Sequence, residues 1–125
     1  MNLHDKAHEL VRNIRESDAY MRAKNAKQAI EQTPSTLEMV QDFKRRQLQL
    51  QAKQMMGQTV TETDLSQLQQ QSEVISLNQD ARTFLQADRE LQVLMMDIQK
   101  ILTDVMDEVS LFSLEQMYEE MGRSQ

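Results

Sequence analysis

An all-α fold, a bundle of long antiparallel helices closed by a long C-terminal one, is predicted by three features of this chain. The first is scarce punctuation, with only two glycines and one proline in 125 residues. The second is composition: Gln, Leu, Met, Glu and Ala dominate, all good helix formers, and β-branched residues never cluster. The third is the stretch 79–112, in which Phe84, Ala87, Leu91, Leu94, Ile98, Ile101, Val105 and Phe112 keep a 3-4 spacing broken only at Glu108. A second apolar line, Ala81, Leu85, Met95, Leu102, Met106 and Val109, widens that face beyond a two-stranded seam. Some 30 residues of helix would run roughly 45 to 50 Å. A compact globule of this length has a radius of gyration of only about 14 Å. The helix would overhang a monomer, so a homodimer or higher homo-oligomer is expected, with Phe84, Ala87, Leu91, Leu94, Ile98, Ile101 and Val105 as its oligomer interface.

Taken in order, a first helix begins near Leu3 on Leu3, Ala7, Leu10 and Ile14. At Ser17 the stripe changes register, resuming as Tyr20, Ala23, Ala26 and Ile30, which predicts a kink or break with Ser17 as N-cap. The small seam Ala19, Ala23, Ala26 would admit another helix closely. Pro34 stops this segment, and Ser35-x-x-Glu38 reads as a capping box opening a helix over Thr36 to Met56. Gly57 is placed to end it. Thr61-x-x-Asp64 caps the next helix, to about Leu77, forming an αα-hairpin with its predecessor. Asn78 then offers an N-cap for the long helix. Beyond Phe112, Ser113-x-x-Gln116 would cap a short acidic helix on Leu114, Met117 and Met121, fraying from Gly122 to Gln125. The division expected is one helical domain over 1–112 and a short acidic tail over 113–125. Glutamine runs at 47–54 and 67–71 carry leucine at helical spacing and read as helix, not as aggregation-prone tracts. The ten methionines read as adaptable core filler.

No cysteine is present, which excludes disulfides, thiolate zinc sites and cysteine-ligated iron–sulfur clusters. No apolar run approaches the roughly 20 residues that span a bilayer, and residues 1–18 alternate charged with apolar side chains. A cytoplasmic protein without membrane contact is therefore expected. Net charge is −6, but residues 1–60 hold ten Lys/Arg against seven Asp/Glu, giving +3, and 61–125 hold four against thirteen, giving −9. In a helical protein this asymmetry reads as two ends that attract in an assembly.

Three groups were weighed for chemistry. His4 and His8 stand one turn apart, yet lack HExxH order and a nearby third ligand, so no metal is expected. Asp104, Asp107 and Glu108, extended by Glu115, Glu119 and Glu120, read as a solvated face rather than an acid–base pair, placed to meet the basic Lys44-Arg45-Arg46 group of another helix or subunit. That basic patch, Lys44, Arg45, Arg46 and Lys53, is the alternative: direct contact with RNA phosphates. Its residues spread around a helix and few aromatics accompany them, so direct nucleic-acid binding is not favoured. No phosphate loop, dinucleotide fingerprint or nucleophilic triad occurs. No catalytic residue and no cofactor is expected.

Three segments carry a family resemblance. Ile14, Arg15, Glu16, Ser17, Tyr20, Lys24 and Ala26 match one pattern; Leu50, Gln51, Lys53, Gln54, Met55, Gly57 and Thr61 a second; Ala87, Glu90, Leu91, Leu94, Ile98 and Ile101 a third. Their order and spacing resemble the bacterial YheA/YmcA/YlbF family, closest to its YheA branch, over about residues 3–110. The resemblance implies a dimeric all-α protein of the cytoplasm of Firmicutes-like bacteria. For the YmcA and YlbF branches it implies a regulatory complex acting on RNase Y-dependent RNA processing, and through it on competence, sporulation and biofilm formation. The iron–sulfur clusters associated with that complex have no cysteine ligands here, and the acidic tail lies outside the match. The YheA branch brings no assigned biochemical role. The expectation is a non-enzymatic interaction protein with protein partners.

Overall fold

The computed structural model describes residues 2–123. Among them are six helices and no strand: α1 (Leu3–Glu16), α2 (Asp18–Glu31), α3 (Pro34–Met55), α4 (Glu62–Ile75), α5 (Gln79–Asp107) and α6 (Leu114–Arg123). The all-α reading holds, and most boundaries fall where the caps placed them. Ser17 does break the first segment in two. Its backbone is extended, its hydroxyl donates to the Ile14 carbonyl at 2.6 Å, and the same oxygen accepts from the Tyr20 N–H at 3.2 Å. One side chain thus closes α1 and caps α2.

At the next boundary the capping box expected at Ser35 is not used. Thr33, extended because it precedes proline, is the N-cap without a side-chain bond, and Pro34 is already the first helical residue. There a missing N–H costs nothing, so the helix starts before Ser35 can cap it. At the far end Gly57 takes φ +75°, its N–H bonding the Gln54 carbonyl at 3.1 Å while the Gln58 N–H bonds that of Lys53 at 2.8 Å. This is a Schellman ending, and it needs glycine's access to left-handed backbone. Thr61 and Asp64 then exchange both bonds of a capping box at 3.1 Å. Asn78 accepts from the Ala81 N–H at 2.9 Å and donates to the Thr36 hydroxyl at 3.2 Å, tying the start of α5 to the start of α3.

The helix α5 ends at Asp107, five residues short of the expected Phe112. Its last turn has no basic residue to complement the helix dipole, and Asp107 and Glu108 oppose it. The chain turns instead, with the Ser110 hydroxyl bonding both the carbonyl and the N–H of Phe112. Ser113 and Gln116 form the expected box at the start of α6. That helix persists through Gly122, where fraying was expected; 124 and 125 lie outside the described residues.

Side-chain pairs give the directions. Arg22 meets Glu90 and Lys53 meets Asp64, so α2 runs antiparallel to α5 and α3 antiparallel to α4. Thr36 meets Asn78 and Lys44 meets Asp88, so α3 and α5 run parallel. The core sits where the end of α2, the first half of α3, the end of α4 and the start of α5 converge: Ile30, Val40, Phe43, Ile75 and Ala81. Against it pack Leu37, Met39, Leu68, Phe84 and Leu85. The small seam of α2 admits a helix as expected, and that helix is α5, with Ala26 and Ala87 both buried at the contact.

Ile75 is almost wholly enclosed, so Ile75→Ala should cost about 2–5 kcal/mol of unfolding free energy, read from urea denaturation. Asp64 is held below the usual carboxylate range, first by the Thr61 N–H and then by the Lys53 ammonium. A depressed folded-state pKa adds stability above the unfolded value, lost as pH falls through the folded one. The stability advantage of the native protein over Asp64→Asn should therefore shrink as pH drops from 5 toward 3.

Candidate interaction surface

Along α5 the environment changes at Ile98. Before it, Ala81 and Ala87 are buried and Phe84, Leu85, Leu91, Leu94, Met95 and Ile98 are half-buried. After it every residue through Phe112 is exposed. The cause is length: α5 has 29 residues and its main partner, α2, has 14. The Arg22–Glu90 pair, at 3.2 Å, lies only four residues from the start of α2. Beyond that level α2 ends, and the chain before the Ser17 break is α1. Ile101 is left 71% exposed and Val109 82%, with Leu102, Val105 and Met106 all more than half exposed.

The expected interface is therefore divided. Ala87 is buried at the α2 seam, while Phe84 packs half-buried against the chain's own core and also lines an open groove between α2 and α5. Leu91, Leu94 and Ile98 are partly covered, while Ile101 and Val105 stand open. Sequence spacing did not single out Val93 and Met96, 53% and 64% exposed, because the next step of their row is Lys100. The whole chain exposes 9967 Å². A compact monomer of this mass exposes about 6,900 Å². The surplus of roughly 3,000 Å² is several times the 800 Å² or so that a standard interface takes from each partner.

The basic patch is dispersed and paired. Lys44 reaches Asp88 of α5 at 2.6 Å, and Asp88 also accepts from Gln92 at 2.9 Å. Arg45 pairs with Asp42 one turn away at 2.8 Å, Arg46 donates to the Gln67 side chain, and Lys53 holds Asp64 at 3.0 Å. Lys44, Arg46 and Lys53 bind α3 to α5 and α4, so phosphate contact at these three would have to break the bundle's own bonds. The acidic cluster of α5 does not meet them within the chain, where Asp104 pairs with Lys100 at 3.0 Å. His4 and His8 are both exposed on α1.

A profile described as "Control of competence regulator ComK, YlbF/YmcA" matches residues 3–107. The chain belongs to this family. The match bears out the resemblance seen in the sequence, and it stops where α5 stops, leaving α6 outside. A "UPF0342 protein" of Caldicellulosiruptor saccharolyticus is 40% identical over 106 residues, covering 85% of this chain and 88% of the relative. Another, of Bacillus licheniformis, is 30% identical over 109 residues, covering 87% and 93%. A solved structure, "Protein of Unknown Function (DUF964) from Bacillus stearothermophilus", superposes with a TM-score of 0.69 at 21% identity, covering 88% of this chain and 98% of that one. That likeness speaks for the fold. Among the described residues no helix is long and apolar enough to cross a membrane.

The ion pairs differ in burial, and their energies should follow. Lys44 and Asp88 are about 30% and 26% exposed, Arg45 and Asp42 63% and 50%. Lys44→Ala should lower stability by about 1 kcal/mol, and Arg45→Ala by less than about 0.5, in parallel denaturation curves.

Proposed function

We propose that this protein is a non-enzymatic adaptor of the cytoplasm that works as a homodimer, the far half of α5 being the dimer interface. The observation that carries this reading is the unbroken exposure of α5 after Ile98, where apolar residues keep core spacing with nothing over them. An apolar face of this extent in water is an association surface or an aggregation liability. The description of its family concerns control of the competence regulator ComK. Extended to this chain, it suggests a regulatory role exerted through protein contacts, in the circle of competence, sporulation, biofilm formation and RNA processing. Direct RNA binding is the weaker reading, since each cation of the patch already has an oxygen partner within the bundle.

Light scattering at micromolar concentration tests the assembly. The native chain should give the dimer mass, and a stable monomer would end the proposal. The double variant Ile101→Asp with Val105→Asp should give a monomer of unchanged helicity by circular dichroism. Both positions are open in the single chain, so the carboxylates are buried only when copies pair, where an unpaired charge is costly.

A further inference from the structure

We infer that α6 docks in trans, in the groove between α2 and α5 of a second copy; this rests on the homodimer proposed above and deepens it. The stripe on the far half of α5 is nearly symmetric about Ile98. A two-fold axis there sets Leu91 opposite Val105, Leu94 opposite Leu102 and Met95 opposite Ile101, apolar against apolar at these three levels. Such a pairing is antiparallel. A parallel one would lay Asp104, Asp107 and Glu108 beside their own copies, whereas the antiparallel one sets Asp107 opposite Arg89, which has no ion-pair partner among the described residues.

The same geometry carries Asp107, the last residue of α5, to the level of Arg89 in the second copy, so the turn that follows and the start of α6 fall near residues 84–91 of that copy. There a groove of about 450 Å³ opens between α2 and α5, lined by Tyr20, Lys24, Lys27, Phe84 and Leu91 among others. It joins aromatic and aliphatic walls to two lysines that form no ion pair among the described residues. Its own carboxylates are Glu31 and Asp88, and Asp88 is already held by Lys44. The helix α6 is complementary to it. Met117 and Met121 lie one turn apart with Tyr118 between them, all about half exposed, and Glu115 and Glu119 form an acidic row.

Docking in cis is opposed by charge. In the single chain the start of α6 faces a gap of about 590 Å³ bounded by Asp104 and Asp107, so Glu115 meets like charge, and Lys100 is engaged by Asp104.

The test uses the full-length protein as an equal mixture of unlabelled and 15N-labelled copies. A carbodiimide couples Lys amines directly to carboxylates, and mass spectrometry reads the joined peptides. Mixed-isotope links from Lys24 or Lys27 to Glu115, Glu119 or Glu120 are expected. The variant Lys24→Glu with Lys27→Glu should lose them and raise the dimer dissociation constant about tenfold. Adding Glu115→Lys with Glu119→Lys should restore the affinity by charge exchange. Links confined within one copy, or absent, in a protein of dimer mass would overturn the docking and leave the dimer standing. A monomer mass at micromolar concentration would overturn both.

Discussion

The structure depends on a mismatch of helix lengths. A helix hides its apolar stripe only along the stretch where another helix runs beside it, and α5 is about twice as long as the two helices that could serve, α1 and α2. The chain spends its cover at one end. There α2, α3 and α4 converge on the start of α5, and Ala26 against Ala87 lets two backbones approach closely. The other end projects bare. Among the described residues seven hydrophobic ones are buried in the single chain, a thin core for this length.

Polar interactions settle direction rather than depth. Lys44 with Asp88, Arg22 with Glu90 and Lys53 with Asp64 each join two helices and fix which way one runs along the other. Exposed pairs of this kind contribute little free energy individually. Their effect on function is subtractive, since they occupy cations that would otherwise make a phosphate-binding face. The charge asymmetry between the halves of the sequence therefore resolves partly inside the bundle, and its remainder lies on Arg12, Arg15, Lys24 and Lys27 in the basic half and on the acidic end of α5 with α6 in the other.

Much of the fold was legible because capping is local. Ser17, Gly57, Thr61 with Asp64, Asn78 and Ser113 with Gln116 each announce a boundary within three or four residues, and each behaves as written. Ser35 failed because proline's preference for the first helical turn acts one residue earlier and wins. The end of α5 was misread because the apolar spacing continues through Val109 and Phe112 while the carboxylates at Asp107 and Glu108 stop the helix. At the candidate surface, spacing identified the right helix and could not divide it. Phe84 and Ile101 obey the same periodicity, and only the three-dimensional reach of α2 decides that one is core and the other open.

Asn78 stands at the base of a rod about 43 Å long, and its link to Thr36 is among the few bonds that set the rod's pitch against the rest of the bundle. Such a rod is a lever. A tilt of about 10° at its base would carry the far tip roughly 7 Å, more than the spacing of a helical turn. An event felt at the Thr36–Asn78 joint, too slight to disturb the core, would arrive at the tip as a displacement of the exposed apolar face.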